Sequence, residues 1–141
     1  MSGVAGDNAS ETVRSVFPDW DRMEDVDQMS AEELDALPFG AIGLDEKGVV
    51  VQYNSAESDI SGRSRAEVIG RNFFTEVAPC TNVQEFAGRF REGVAKGDLN
   101  HVFPYIFSFE MDPTQVWVRL FYSESTESAW VFVTRREPDA G

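Results

Sequence analysis

The sequence contains one cysteine and one histidine among its 141 residues, and this scarcity excludes several classes of site. A lone cysteine, Cys80, cannot form an intramolecular disulfide, and with His101 alone it cannot supply the usual ligand set of a zinc site. His101 also lacks the sequence partners of a catalytic triad. We therefore expect no metal centre and no enzyme. Cys80 is either an inert buried thiol or a reactive one that carries a ligand.

Long apolar runs and basic residues are also scarce. No stretch approaches the roughly 20 apolar residues of a membrane helix, and the N-terminus lacks the basic start and apolar run of a secretory signal. The chain has 25 acidic against 12 basic residues, a net charge of −13. Negative charge disfavours binding to nucleic acid and to anionic membranes. We expect a cytoplasmic monomer that binds neither.

The negative charge is concentrated in the first quarter of the chain. Residues 1–36 contain ten acids and two bases, whereas residues 37–141 contain fifteen acids and ten bases. This excess is either an ordinary solvated surface or an adaptation to high salt, where ions screen the repulsion. Unfolding midpoints in dilute buffer and in concentrated salt would separate the two interpretations.

Residues 1–36 are predicted to form an N-terminal helical cap. Apolar residues spaced by three and four over residues 11–29 indicate helix, and Pro18 divides that stretch into two short helices. Ser30 and Glu33 have the spacing of a capping box that opens a further helix. This segment is too short to hold a core alone, so we expect it to pack on the rest of the chain, residues 37–137.

The remainder predicts an α+β fold. The stretch 54–77 has short helical turns broken by Gly62 and Gly70, and residues 82–97 form the longest predicted helix, with Thr81 or Asn82 as its N-cap. Five strands are predicted at residues 40–44, 49–53, 101–111, 115–123 and 129–135. A five-stranded antiparallel sheet flanked by helices, in this order, is the layout of a PAS domain.

Several runs carry a more specific likeness. They are Leu37–Ile42, Gln52–Glu57, Asp59–Arg63, Val68–Phe74 and Val77–Thr81, followed by matches around Phe86–Val94 and Trp130–Val133. Together they resemble the photoactive yellow proteins, light sensors built on a PAS core. The likeness covers residues 37–135 and is weaker over the cap.

The resemblance implies a cofactor and a set of residues that hold it. The family attaches 4-hydroxycinnamic acid (p-coumaric acid) to its cysteine as a thioester, which here would be Cys80. Ser61 stands where the family usually has a threonine, and Phe109 stands where it often has a tyrosine. The implied contacts with the chromophore are hydrogen bonds from Tyr53 and Glu57, support of the tyrosine by Ser61, a lid formed by Arg63 and ring packing by Phe107.

The spacing of Tyr53 and Glu57 agrees with this role on chemical grounds. Residues four apart lie on one face of a helical turn. A phenolate buried in an apolar pocket is costly unless hydrogen-bond donors surround it, and a tyrosine hydroxyl and a protonated carboxyl both donate. Glu57 must then stay neutral, with its pKa raised by burial.

The resemblance implies a blue-light photoreceptor. Light isomerises the chromophore from trans to cis, Glu57 gives its proton to the phenolate, and the resulting buried charge loosens the cap. The downstream partner is a signalling protein that the sequence does not identify. The alternative is a PAS interaction or ligand-sensing module without this chromophore. A cysteine-dependent enzyme is a third class, and it would need a base beside Cys80.

Overall fold

A five-stranded antiparallel sheet organises the chain. The computed structural model describes residues 17, 23, 25–108, 113–123 and 127–136. In space the strands follow the order β2-β1-β5-β4-β3, and each neighbouring pair is antiparallel. The predicted α+β class and all five strands are confirmed. The strands are β1 Gly40–Leu44, β2 Val50–Tyr53, β3 Asn100–Phe107, β4 Thr114–Ser123 and β5 Ser128–Arg135.

Short helices and turns connect the strands. The predicted capping box opens α1, because Ser30 Oγ accepts from Glu33 N and Glu33 Oε1 accepts from Ser30 N. The helices are α1 Ala31–Asp35, α2 Ser55–Ser61, α3 Arg65–Val68 and α4 Arg89–Lys96. Two π-helical turns cover Phe73–Val77 and Gln84–Gly88, and two 3-10 turns cover Val26–Gln28 and Pro79–Thr81.

The longest predicted helix ends as expected but begins differently. Gly97 closes α4 in the left-handed conformation, with φ of 69°, as a C-terminal glycine does. The predicted N-caps are wrong, because Thr81 Oγ1 donates to the carbonyl of Ala78 and Asn82 lies before the cap position, which Val83 occupies. Val83, at the cap position, is 44% exposed. A π-helical turn precedes α4, so the regular helical spacing starts only at Arg89.

The sheet separates two apolar cores. Alternate side chains of β4 and β5 point to opposite faces. On one face, Val118 and Val131 pack with α2, α4 and the π-helical turns; we call this the pocket face. On the other, Trp130 and Phe132 pack against Phe17, Met23, Val26, Leu34 and Leu37; we call this the cap face.

β3 lies at an edge of the sheet, and this position accommodates Pro104. Proline cannot donate a ladder hydrogen bond and is tolerated in an edge strand. The edge position of β3 therefore explains how this strand contains a proline. The helices predicted around Pro18 and the position of Phe109 lie outside the described residues. Within the described ranges, no helix is both long enough and apolar enough to cross a membrane.

Candidate functional site

A pocket opens between the sheet and the helices of the pocket face. The empty space between its lining atoms is about 340 Å³, part of it continuous with solvent. All six residues predicted to contact the chromophore line it, together with Phe73, Val77 and Ala78. The six are Tyr53, Glu57, Ser61, Arg63, Phe107 and Cys80.

Tyr53 ends β2 and directs its hydroxyl toward α2. Its Oη lies 2.7 Å from Ser61 Oγ, at the last residue of that helix. Ser61 Oγ also accepts from the main-chain N–H of Arg63 at 3.1 Å. Burial raises the pKa of Tyr53 above its usual value, and the nearby charge of Glu57 raises it further. Tyr53 therefore remains a protonated phenol at neutral pH, so it can donate a hydrogen bond into the pocket.

Glu57 lies in the first turn of α2 and is buried, with 2% of its surface exposed. Burial raises its pKa to about 8, and the charge of Arg135 opposes this shift. At neutral pH the carboxyl is therefore mostly protonated, as the sequence predicted. Among the described residues, no group forms a hydrogen bond with Glu57 Oε1. A buried polar atom without a partner is costly, so the carboxyl favours a ligand that can accept from it or donate to it.

Gly40 makes the room that Glu57 occupies. A Cβ at position 40 would lie 2.1 Å from Glu57 Oε1 and 3.2 Å from Glu57 Cα. No side chain can stand there unless the carboxyl moves. The absence of a side chain at the start of β1 thus lets α2 pack close to the sheet with an acid facing it.

Asn54 fixes the position of α2 and of Glu57. Its Oδ1 accepts from Glu57 N at 3.1 Å, as a helix N-cap does, and also from Ala41 N at 2.9 Å. Its Nδ2 donates to the carbonyls of Leu34 at 2.8 Å and Phe39 at 3.0 Å. One buried amide thereby joins α1, the α1–β1 connection, β1 and α2.

Cys80 lies half-buried in the 3-10 turn Pro79–Thr81. Tyr105 Oη donates to the carbonyl oxygen of Cys80 at 2.5 Å and so holds this turn against β3. Burial raises the pKa of Tyr105, and the neighbouring Cys80 raises it further. This contact was not predicted from the sequence. Its signal was the alternation of Phe103, Tyr105 and Phe107, which points the tyrosine to the pocket face.

The other two predicted residues, Phe107 and Arg63, differ in how deeply they are buried. Phe107 is buried and packs with Phe86, their ring centroids 6.3 Å apart. Arg63 follows α2 and is half-buried at the pocket lining. His101 is exposed at the start of β3 and does not line the pocket.

The strand order, the helices on the pocket face and the enclosed pocket define a PAS domain. The PAS-fold family profile matches residues 28–135 of the chain. Domains of this fold serve many functions, so the fold by itself does not identify a ligand.

Similar proteins show which family of PAS domains the chain resembles. The photoactive yellow protein of Rhodothalassium salexigens is 51% identical over 107 residues, which are 76% of this chain and 86% of that protein. The photoactive yellow protein of Halochromatium salexigens is 52% identical over 107 residues, with the same two coverages. A crystal structure of the photoactive yellow protein domain of the sensor histidine kinase Ppr from Rhodospirillum centenum is 48% identical. It has a TM-score of 0.75 and covers 79% of this chain and 97% of that domain.

The chain therefore belongs to the photoactive yellow protein family. It is a sensory PAS domain with a photoreceptor function, and membership in this family implies a chromophore. The roles of the six pocket residues toward that chromophore remain predictions.

Proposed function

We propose that the chain is a blue-light photoreceptor that carries 4-hydroxycinnamic acid as a thioester on Cys80. The observation that carries the proposal is the buried Glu57 carboxyl, whose Oε1 lacks a partner among the described residues, in the pocket that contains the lone thiol. A buried polar atom of this kind calls for a partner, and a ligand in the pocket supplies one.

The pocket residues fit this chromophore. Cys80 supplies the sulfur, and Tyr53 and Glu57 supply two donors for a phenolate oxygen. Phe107 and Phe73 supply an apolar lining for an aromatic ring. Ser61 would hold the hydroxyl of Tyr53, and Arg63 would cover the pocket. When bound, the chromophore supplies absorption of blue light, trans-to-cis isomerisation and a phenolate that gains basicity.

The attachment requires only an activated form of the acid. The thiolate of Cys80 would attack the carbonyl carbon of an activated 4-hydroxycinnamoyl ester. The C–S bond would form as the bond to the leaving group breaks with its electron pair, and the thiol proton would pass to water. We therefore propose no separate enzyme for the attachment and no turnover by this chain.

Glu57 converts absorbed light into a structural change. With a pKa of about 8 it holds a proton at neutral pH. Loss of that proton leaves a carboxylate in a site where burial disfavours charge. The strain is relieved where the structure is least stable, which we propose is the cap, residues 1–36, on the PAS core, residues 37–137.

The output passes to another protein. The R. centenum relative is part of a sensor histidine kinase, so we propose that light alters a contact between this domain and a signalling protein. The domain is proposed to act in the cytoplasm as a monomer that binds neither nucleic acid nor a membrane.

Reconstitution tests the chromophore. The purified chain is mixed with an activated 4-hydroxycinnamoyl ester, and its intact mass and absorption spectrum are recorded in the dark and after illumination. We expect one adduct and a visible band that bleaches in light and returns in the dark. Cys80→Ala is the matched control and should take up no adduct. A colourless parent chain would favour the alternative, a PAS interaction or ligand-sensing module.

Two further measurements test the proton and the cap. Glu57→Gln retains a donor but loses the transferable proton, so we expect a red-shifted band and a smaller light-induced change. Hydrogen exchange of residues 25–37, compared in the dark and in light, should accelerate in the parent. Exchange that light leaves unchanged would overturn the proposed release of the cap.

A further inference from the structure

A polar link outside the predicted site joins α1 to the main chain of the pocket. Arg65 opens α3, and its Nε donates to the carbonyl oxygen of Tyr53 at 2.7 Å. Its Nη2 donates to Asp35 Oδ1, at the end of α1, at 2.6 Å. One guanidinium therefore spans from the cap to the residue that carries the phenol of the pocket.

The same carboxylate also contacts the helix that carries Glu57. Asp35 Oδ1 accepts from the main-chain N–H of Ser55 at 3.0 Å. Ser55 begins α2, two residues before Glu57. Asp35 thus contacts α2 directly and reaches β2 through Arg65, so a movement of α1 bears on both donors of the pocket.

This link is more open to solvent than the contact that Asn54 makes with α1. The side chains of Arg65 and Asp35 are 48% and 33% exposed, whereas Asn54, which also binds α1, is buried. Both charged residues line a crevice of about 230 Å³ between α1 and β2, part of it open to solvent. Dissolved ions screen a pair in such a place far more than a buried one.

We propose that Asp35, Arg65 and the carbonyl of Tyr53 form an ionic latch that holds α1 against β2 in the dark and opens when the cap loosens. Arg65 is a positioning residue that acts through Asp35 and Tyr53. Because salt weakens the latch, ionic strength tunes both the opening of α1 in the dark and the return of the cap after light. The second effect rests on the proposed photoreceptor function, whereas the first does not.

The dark-state test requires no chromophore. Hydrogen exchange of residues 31–37 is measured at low salt and at about 1 M salt in the parent, Arg65→Gln, Asp35→Asn and the double variant. Asp35→Asn retains an acceptor for Ser55 N and loses only the charge. At low salt we expect each single variant to exchange about two- to five-fold faster, the range for a partly exposed ion pair. The double variant should exchange no faster than the singles, and high salt should remove the differences.

Two control variants separate the latch from charge alone. Lys96→Gln, at the exposed end of α4, makes the same charge change and should match the parent. Arg65→Lys keeps the charge but loses the fork that reaches two acceptors, so it should fall between the parent and Arg65→Gln. Additive effects in the double variant, or equal effects at both salt concentrations, would overturn the latch.

A light-state test uses the chain loaded with the chromophore. At low salt, Arg65→Gln should recover about two- to five-fold more slowly than the parent, and its recovery rate should lose its dependence on salt. If Arg65→Gln recovers with the same salt dependence as the parent, the latch plays no part in recovery after light. A chain that never colours or bleaches would refute the proposed function, while the dark-state exchange would still decide whether the latch exists.

Discussion

The two faces of the sheet treat their buried polar groups differently. On the cap face, Trp130 Nε1 donates to Asp27 Oδ1 at 2.8 Å. Arg119 is fully buried, donates from Nε to Asn100 Oδ1 at 3.0 Å, and lies 5.0 Å from the ring centroid of Phe121. On the pocket face, by contrast, the buried group is the carboxyl of Glu57, whose pKa burial raises, so that its neutral form is favoured.

The cap face therefore binds the cap, whereas the pocket face contains the group that we propose responds to light. Hydrogen bonds keep the cap against the sheet, whereas the pocket keeps an acid whose charged form is unfavourable. The two faces meet beside the sheet, where Asn54 binds α1, β1 and α2. A change at Glu57 can therefore reach the cap by way of the α1–β1 connection without crossing the sheet.

The pH dependence of stability gives the largest expected contrast between the faces. The pKa of Glu57 is raised from 4.5 to about 8. Its contribution to stability is thus fully present below pH 4.5 and is lost as the pH rises through about 8. At about 1.4 kcal/mol per pKa unit the loss is at most about 5 kcal/mol. Glu57→Gln removes this pH-dependent loss, so the variant should gain stability relative to the parent between pH 5 and pH 9.

Urea unfolding of the chromophore-free chain in the dark measures this difference. Asp27→Gln is the matched control on the cap face and should change stability by a constant amount over the same pH range. Parallel pH profiles for the parent and Glu57→Gln would contradict a buried, neutral Glu57.

Two glycines of β1 allow the space beside the strand to be compared on the two faces of the sheet. Gly40→Ala places a Cβ against Glu57, so we expect a loss of about 1–3 kcal/mol, the usual cost of overpacking. Gly43→Ala on the cap face meets Gln52 and Trp130 at 3.0 to 3.3 Å, which small shifts of these side chains relieve, so the loss should stay below about 1 kcal/mol. Unfolding of both variants at pH 6 provides the comparison, and equal losses would show that Glu57 yields freely.

Removing a hydrogen bond of the cap should loosen the cap directly. Trp130→Phe leaves Asp27 without the indole donor, at a cost of about 1.5 kcal/mol. Exchange of residues 25–37 should accelerate roughly tenfold in the dark, since about 1.4 kcal/mol corresponds to a factor of ten. Asp27→Asn retains an acceptor and should change exchange less. A shift in the titration of Glu57 would mean that the faces are more tightly coupled than the contacts suggest.

The smallest effect is expected at Tyr105. Tyr105→Phe removes the hydrogen bond to the carbonyl of Cys80, at a cost of about 1 kcal/mol. The turn Pro79–Thr81 should open more often, and Cys80 should react with a small alkylating reagent a few-fold faster. Tyr122→Phe, which loses the bond to Glu46 instead, is the control. Equal alkylation rates in the parent and both variants would exclude a role for Tyr105 in holding the turn.

Local patterns predicted most of the fold. The structure confirms three predictions that depend on neighbours in sequence: the strands at 40–44 and 49–53, the capping box at Ser30 and the strand at 115–123. The start of α4 was wrong because the π-helical turn Gln84–Gly88 shifts the spacing on which the prediction relied.

The pocket was predictable only in part. A four-residue spacing brought Tyr53 and Glu57 together, and the family likeness added Ser61, Arg63, Phe107 and Cys80. The contacts that support them join residues far apart in sequence. Arg65 meets Asp35 across 30 residues, and Tyr105 meets Cys80 across 25. No periodicity encodes such pairs, and the space that Gly40 leaves for Glu57 appears only once α2 packs on β1.

Pro104 has a consequence for the proposed light-driven cycle. A switch that exposes apolar surface in each cycle risks aggregation, and an unpaired sheet edge is the usual template for it. In β3 the proline removes one donor from the strand that forms this edge, and natural proteins use this device to block edge-to-edge growth. The β3 edge, opposite β2 in the sheet order, would thus stay protected from edge-to-edge pairing if the cap loosens as we propose.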